Sequence, residues 1–335
     1  MALVRPNATK DYTDGLADML DVVGTNYRYK ELLAAQQEKT ARRIIGTENG
    51  QDRNAWLAVR NNPTYSGEFL WTGFDYLGES KEWPVIGSAA GLFDRTNLAR
   101  PIAFERQSWW SSTPMVNIAR RVSSARFIPV DPGFAPLASP AGLYSDWSPT
   151  IKSPHIENVE VYSNCDTVEL FLNGSSLGVQ SLPTDASPRT WRVSFQNGTL
   201  SAIAKDNNKV VATDQVQTAG SASRIVLKSD SKSIGPSWDD VAYVTAEVTD
   251  AVGTVVPNAT NHITFEITGP GRIAVVDNGD IRSHEPFNAT ERDAFSGRCV
   301  AVIKAMSASG SILITATSPG LAPCVTTIEV APPKH

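Results

Sequence analysis

The order of apolar and polar positions divides the chain into an N-terminal region of alternating strands and helices and a longer region made of strands. In the first 115 residues, short apolar runs alternate with segments whose apolar residues recur at helical spacing. This alternation implies parallel strands joined by crossover helices, with a long irregular loop at residues 75–101. The pattern predicts strands at residues 21–27, 43–46 and 69–71 and helices at residues 12–19, 28–40, 52–61 and 104–111.

From about residue 150 the pattern changes to short strands of alternating apolar and polar residues, separated by turn signals. The pairs Asn173-Gly174 and Asn197-Gly198 favour tight turns. Short strands at this spacing predict two β-sandwiches of immunoglobulin type, at residues 150–220 and 221–335. Residues 116–149 begin strand-like and then become rich in Pro, Ser, Ala and Gly, so we assign them to a linker or an extended wrap.

Length and composition fit a folded protein of two or three domains. The chain has 335 residues, of which 41% are hydrophobic and 19% charged, and its net charge is −5. Acidic and basic residues are mixed along the chain, so neither nucleic acid nor an anionic membrane is an expected partner. No apolar run approaches the roughly 20 residues of a membrane-spanning helix, and the N-terminus has no apolar leader core, so a cytoplasmic location is the default expectation. The three cysteines and four histidines show no metal-ligand spacing, and no metal or cofactor is predicted.

Two stretches of the N-terminal region bring carboxylates and aromatic residues to the ends of predicted strands. Residues 42–50 read Arg-Arg-Ile-Ile-Gly-Thr-Glu-Asn-Gly, a short apolar strand that delivers Glu48 to the loop after it. Residues 67–79 read Gly-Glu-Phe-Leu-Trp-Thr-Gly-Phe-Asp-Tyr-Leu-Gly-Glu, a second such strand that leads into Asp75 and Glu79. Catalytic residues of (β/α) barrels lie at the C-terminal ends of the strands. Carboxylates beside aromatic rings are typical of carbohydrate sites, where a flat ring stacks on the sugar.

These two stretches, together with Gln-Ser-Trp-Trp at residues 107–110, resemble the β-galactosidase-like members of glycoside hydrolase family 2. The resemblance covers only the C-terminal portion of such an enzyme. It implies that residues 1–115 are the last three βα units of a (β/α) TIM-type barrel, with strands six, seven and eight. It also implies that the two sandwiches are the accessory domains that follow the barrel. The function it implies is that of a retaining exo-β-glycosidase, with a β-galactosidase that hydrolyses terminal non-reducing β-D-galactosides as the first expectation.

The resemblance assigns roles to individual side chains. It makes Glu48 the nucleophile, and it makes Tyr27 the phenol that hydrogen-bonds this carboxylate and steadies its charge. Trp71 would form the floor under the sugar. We expect Asn26 to bind substrate as well. The roles of Asp75 and Glu79 stay open, because each fits either a hydroxyl-binding group or a cap of a polar loop.

The general acid/base of the family is not found in this sequence. In the family it is the Glu of an Asn-Glu pair on barrel strand four, and the sequence contains no Asn-Glu dipeptide. A substitute would come from Glu68, Asp75, Glu79 or Asp94. Loss of one catalytic carboxylate removes a factor of about 10² to 10⁴ from general acid–base catalysis.

Two alternatives follow from this gap and from the choice of sugar. The chain is either an enzyme or a catalytically incomplete fragment that acts as a carbohydrate- or partner-binding β-sandwich module. If it is an enzyme, a β-glucuronide or a β-mannoside is the alternative to the galactoside. An open three-stranded parallel sheet exposes apolar edges, so a homo-oligomer that completes the barrel is a further expectation.

Overall fold

A computed structural model of the chain describes residues 2–3, 9–80, 82–122 and 142–331. These residues form one parallel sheet with helices, followed by two β-sandwiches. The two predicted sandwiches are thereby confirmed. Residues 123–141, the centre of the predicted linker, lie outside the described residues. Within the described ranges, every helix is too short or too polar to cross a lipid bilayer.

The N-terminal region contains a four-stranded sheet in the order β1-β2-β3-β4, with every neighbouring pair parallel. The predicted alternation of strands and helices is confirmed, and β1 adds a fourth strand to the three that the pattern predicted. The long loop after β4 contains a small antiparallel hairpin, β5–β6. The elements of this region are β1 (Ala2–Leu3), α1 (Thr9–Thr13), a 3-10 turn (Ala17–Met19), β2 (Val23–Asn26), α2 (Tyr29–Glu38), β3 (Ile44–Asn49), α3 (Arg53–Asn61), β4 (Tyr65–Leu70), β5 (Tyr76–Leu77), β6 (Gly87–Ser88) and α4 (Pro101–Trp110).

Local sequence explains where these elements begin and how they pack. The carboxylate of Asp52 accepts a hydrogen bond from the amide of Asn54 (3.1 Å) and so caps the N-terminus of α3. Leu32 of α2 and Ile44 of β3 are fully buried in one apolar cluster between helices and sheet. Burial of one such side chain stabilises the fold by about 1.5–3 kcal/mol. The sheet is therefore held against its helices at one face.

The first sandwich pairs two four-stranded antiparallel sheets, in the orders β11-β10-β13-β14 and β12-β9-β7-β8. Its core contains Trp147, which is fully buried and donates from Nε1 to the carbonyl of Gln196 (3.0 Å). The strands are β7 (Val116–Arg121), β8 (Leu143–Tyr144), β9 (Ile156–Ser163), β10 (Thr167–Leu172), β11 (Ser175–Ser181), β12 (Arg189–Ser194), β13 (Thr199–Asp206) and β14 (Lys209–Gln217).

The structure corrects the assignment of residues 116–149 to a linker. Strands β7 and β8 lie in this segment, and β7 is a central strand of the first sandwich, paired with β9 along its whole length. Ile118 is fully buried in the sandwich core, and Arg120 forms an ion pair with Asp146 (Nη2–Oδ1 2.9 Å). The Pro- and Ser-rich composition that suggested a linker belongs mainly to the residues between these two strands.

The second sandwich pairs a four-stranded sheet, β15-β17-β21-β19, with a five-stranded sheet, β16-β23-β22-β18-β20. Phe265, Ile312 and Ile328 are buried between the two sheets. The strands are β15 (Arg224–Ser229), β16 (Ser233–Ile234), β17 (Ala242–Thr249), β18 (His262–Thr268), β19 (Gly271–Asp277), β20 (Glu291–Asp293), β21 (Arg298–Ala305), β22 (Gly310–Thr317) and β23 (Cys324–Val330).

Both sandwiches contact the N-terminal region. Helix α4 packs on β7 and β9 of the first sandwich. The long loop after β4 packs on the second sandwich, where Arg95 forms a two-pronged ion pair with Asp277 (Nε–Oδ2 2.9 Å, Nη2–Oδ1 3.1 Å). Because both partners are largely buried, this pair fixes the loop against the sandwich geometrically.

Candidate active site

Tyr27 and Glu48 lie side by side at the carboxyl ends of two neighbouring parallel strands. The register pairs Asn26 of β2 with Glu48 of β3, and the amide of Tyr27 donates to the carbonyl of Glu48 (2.6 Å). The two side chains also interact, because the Glu48 carboxylate is among the causes of the raised pKa of Tyr27. Partial desolvation, followed by this contact with the Glu48 carboxylate, raises the pKa of Tyr27 to about 12. Tyr27 is therefore a neutral phenol at physiological pH and donates its proton toward the carboxylate.

Asn26 and Trp71 flank this pair. The side-chain oxygen Oδ1 of Asn26 accepts a hydrogen bond from the Thr47 hydroxyl (2.8 Å). The side-chain NH2 group of Asn26 is therefore the group that can bind a ligand. Trp71 follows β4 on the opposite side of β3, and its amide donates to the carbonyl of Asn49 (2.8 Å). The Trp71 side chain remains 38% exposed. A partly exposed indole at the end of a strand is suited to contact a ligand.

Tyr76 joins the candidate site, although the sequence analysis assigned it no role. Its ring packs edge-on against Trp71, with centroids 5.7 Å apart, and its hydroxyl donates to Oε2 of Glu79 (2.5 Å). The charge of Glu79 also contributes to the raised pKa of Tyr27. The only sequence signal for Tyr76 was its place in the aromatic stretch after β4.

Asp75, by contrast, has its side chain fully buried. Its carboxylate accepts from Arg100 (Nη1–Oδ1 2.7 Å) and from the amide of Gly91 (2.9 Å). Burial raises the pKa of Asp75, although Arg100 opposes this effect. The geometry supports the loop-capping role for Asp75 and leaves no exposed carboxylate for a sugar hydroxyl.

Two further carboxylates considered as proton donors are also engaged. Glu68 accepts from Asn49 (Nδ2–Oε2 3.1 Å) and forms a buried ion pair with Arg106 (3.1 Å). Asp94 accepts from the amides of Thr96 (2.8 Å) and Leu98 (3.1 Å) and so closes a turn. Of the four carboxylates, Glu79 is the one whose side chain is exposed beside Tyr27.

One cluster in the second sandwich has metal-ligand chemistry. The donor atoms of His262, Glu285 and Asp293 all lie within 4.8 Å of one another. These groups already bond to one another or to the chain: His262 Nδ1 lies 2.7 Å from Asp293 Oδ1, and Glu285 accepts from the Asp293 amide (2.9 Å). Hydrogen bonding thus accounts for the cluster without a metal.

Comparison with known proteins identifies the second sandwich by its sequence. Residues 225–327 match the profile described as glycoside hydrolase family 2 C-terminal domain 5. Residues 155–212, most of the first sandwich, match a domain of unknown function (DUF4982).

Several longer proteins are similar to most of the chain. The β-galactosidase BoGH2A of Bacteroides ovatus is 34% identical over 81% of this chain and 29% of its own length. A β-glucuronidase of Formosa agariphila is 28% identical over 83% of this chain and 26% of its own length. The chain therefore spans less than a third of the curated relatives that it matches.

A solved structure extends the similarity to the N-terminal region. The glycosyl hydrolase family 2 member from Bacteroides cellulosilyticus superposes with a TM-score of 0.84 at 28% identity, over 95% of this chain and 43% of that protein. Coverage of this extent includes most of the parallel sheet that carries Tyr27 and Glu48. The family profile, the similar sequences and the shared architecture agree, and the chain belongs to glycoside hydrolase family 2.

Proposed function

We propose that the N-terminal sheet is the end of a catalytic (β/α) barrel and carries the nucleophile half of a retaining exo-β-glycosidase site. The observation that carries this proposal is the position of Tyr27 and Glu48 side by side at the carboxyl ends of β2 and β3, where the Tyr27 amide donates to the Glu48 carbonyl (2.6 Å). This edge is where (β/α) barrels hold their catalytic residues. The two sandwiches then act as accessory domains of immunoglobulin type.

The chemistry assigned to the site uses Glu48 as the nucleophile. Its carboxylate attacks the anomeric carbon, the bond to the leaving oxygen breaks, and a glycosyl-enzyme forms that water later hydrolyses. Tyr27 donates a hydrogen bond to the carboxylate and so holds it ionised and oriented before attack. Trp71 supplies the ring on which the sugar stacks, and the NH2 group of Asn26 binds a hydroxyl. Asp75 takes no part, because its carboxylate is buried against Arg100.

A retaining enzyme also needs a carboxylic acid that protonates the leaving oxygen, about 5–5.5 Å from the nucleophile. Glu68 and Asp94 are engaged in structural bonds, which leaves Glu79 as the donor candidate among the described residues near Glu48. The family resemblance instead places the acid/base on a barrel strand that this sequence does not contain. We propose that a further barrel segment or a second copy of the chain supplies it.

The surface beside α4 supports association with a further barrel segment or with a second copy of the chain. A cavity of about 480 Å³ opens there between the long loop and the helix, lined mainly by apolar residues that include Leu92, Phe93, Phe104 and Trp110. Phe74, which is more than half exposed, stacks on Phe93 of this cavity. Apolar surface of this kind marks a site of association. Light scattering tests self-association: a purified chain that stays strictly monomeric at all concentrations contradicts completion by a second copy.

For the sugar we propose a terminal β-D-galactoside. A β-glucuronide carries a carboxylate that calls for a cationic partner. Arg28 bonds to Glu31 (2.9 Å) and Arg100 to Asp75, so two nearby guanidinium groups already have carboxylate partners. The relatives include both galactosidases and glucuronidases. Hydrolysis of a panel of nitrophenyl β-galactoside, β-glucuronide and β-mannoside decides between these sugars.

The decisive experiment is hydrolysis of 4-nitrophenyl β-galactoside by the purified chain beside its Glu48→Gln variant. We expect slow turnover by the chain, because the nitrophenolate leaving group needs little protonation, and none by the variant. The unfolding midpoint stays unchanged, because Glu48 is half-buried and removed from the core. Glu266→Gln, an exposed glutamate of the second sandwich, is the matched control. Equal activity of Glu48→Gln and the parent chain would remove Glu48 from the mechanism.

A second candidate function is carbohydrate binding without hydrolysis. The observation that favours it is the lack of a free carboxylate other than Glu79 beside Glu48 among the described residues. Calorimetry with galactose distinguishes the two functions. Binding by both the chain and Glu48→Gln, with no product formed by either, identifies a binding module.

A further inference from the structure

Trp83 presents its indole to solvent from the loop that also carries Glu79. Its side chain is 76% exposed. The ring nevertheless has a fixed partner, since the imidazole of His284 in the second sandwich lies against it with centroids 4.4 Å apart and planes 38° apart. The imidazole backs one face of the indole, and the other face remains open.

Hydrogen bonds between the two parts of the molecule hold this arrangement. Nε2 of His284 donates to the carbonyl of Pro84 (2.8 Å), and the amide of Ile86 donates to the carbonyl of Ile281 (2.8 Å). The sandwich loop is itself anchored, because Asp277 accepts from both Arg95 and the fully buried Arg292. The indole is therefore positioned before any ligand arrives, which lowers the entropy cost of binding.

The position of Trp83 along the chain ties it to the candidate site. The β5–β6 hairpin carries Tyr76, which packs on Trp71, and Glu79 follows directly. The loop is closed at its base, where the amide of Gly78 donates to the carbonyl of Ile86 (3.0 Å). Trp83 is four residues beyond Glu79, so their Cα atoms lie within about 14 Å of each other. The loop that holds the indole is therefore the loop that carries Tyr76 and Glu79, and Tyr76 contacts Trp71.

We propose that Trp83, backed by His284, is a subsite for a sugar on the leaving-group side of the bond that is cleaved. This inference rests on the proposed exo-glycosidase function, because an exo-enzyme encloses the terminal sugar and extends its substrate only on the leaving-group side. The open indole face stacks on the apolar face of a pyranose ring, as aromatic rings in binding sites do with flat apolar groups. The substrate class is then an oligosaccharide with a terminal β-galactose, and not a galactoside of a small aglycone.

Calorimetry tests the subsite on the Glu48→Gln chain, the parent of the variants below, in which the probes are not hydrolysed. The two probes are galactose and a tetrasaccharide of β-linked galactose. We expect the chain to bind the tetrasaccharide more tightly than galactose. Trp83→Ala weakens tetrasaccharide binding about three- to tenfold, the contribution of one aromatic stacking contact, and leaves galactose binding unchanged. His284→Ala produces a smaller loss with the same selectivity. Trp238→Ala, which removes an indole that is 84% exposed elsewhere on the second sandwich, changes neither affinity.

Three results overturn the subsite: equal affinity of the parent chain for both probes, no binding of the tetrasaccharide, or an equal loss for both probes in Trp83→Ala. Failure of the proposed function has a different signature. If the unaltered chain hydrolyses no substrate, Glu48 has no catalytic role in it. A selective loss of tetrasaccharide affinity in Trp83→Ala would still support the sugar subsite. Circular dichroism melting of each variant confirms that the fold is retained.

Discussion

The contact between α4 and the first sandwich places a carboxyl group where its charge is costly. Glu105 of α4 lines a cavity of about 120 Å³ between the helix and β9, beside the stacked rings of Trp56 and Trp109. Burial, and then the charge of Glu160, raise the pKa of Glu105 from its ordinary value near 4.5 to about 7. Glu160 is itself held by Arg121 and by the hydroxyl of Tyr162. The charges that oppose the shift belong to Arg106, Arg121 and Arg53.

This shift predicts that the free energy of unfolding falls as pH rises from about 4.5 to 7. In this window the folded chain keeps the proton on Glu105 while the unfolded chain has released it, so deprotonation favours unfolding. The difference between 4.5 and about 7, at about 1.4 kcal/mol for each pKa unit, gives roughly 3 kcal/mol. Because part of the side chain still reaches solvent, we take about 2–3 kcal/mol as the cost at pH 8.

Glu105→Gln removes this cost. The amide resembles the protonated acid, so we expect the variant to match the parent chain at pH 4.5 and to be about 2–3 kcal/mol more stable at pH 8. Urea unfolding followed by tryptophan fluorescence measures it, since Trp56 and Trp109 line the same cavity. Glu266→Gln is the exposed control and shows no such gain. A Glu105→Gln variant with the parent's stability at pH 8 would show that the Glu105 charge carries no such cost.

Two further predictions concern the candidate site. We expect Tyr27→Phe to lower kcat for 4-nitrophenyl β-galactoside about 10- to 100-fold, because a hydrogen bond to a charged group is worth that much, while KM changes little. An unchanged kcat would exclude Tyr27 from the mechanism. Glu68→Ala leaves the guanidinium of Arg106 buried without its carboxylate and lowers the free energy of unfolding by about 3–5 kcal/mol. Urea unfolding checks the second prediction with Glu68→Gln, which keeps an acceptor for Arg106, as the milder control; equal losses in both variants contradict it.

The pattern of short apolar strands predicted that Tyr27 and Glu48 lie at strand ends, and the family resemblance assigned the two residues to one site. Parallel strands that are adjacent in the chain end at the same edge of a sheet, which agrees with this placement. The position of the strands does not predict the environment of Asp75. Its partner Arg100 lies 25 residues away across an irregular loop, and no periodic pattern reveals that the carboxylate is buried.

Contacts between distant segments were also beyond the sequence analysis. Trp83 and His284 are separated by the whole first sandwich, and neither stands in a recognisable motif. The segment at residues 116–149 shows how composition misleads. Its Pro- and Ser-rich centre suggested a linker, but the burial of Ile118 and Trp147 depends on strands that come later in the chain.

The ion pair of Arg95 with Asp277 joins the loop after β4 to the second sandwich, although the two are far apart in sequence. The second sandwich is last in sequence, yet it braces the hairpin loop that borders the candidate site. Exchanging this sandwich for that of a relative would therefore alter the loop that carries Tyr76, Glu79 and Trp83, even with every residue of the parallel sheet retained. The C-terminal domain is, in this molecule, a support for the loop beside the candidate site.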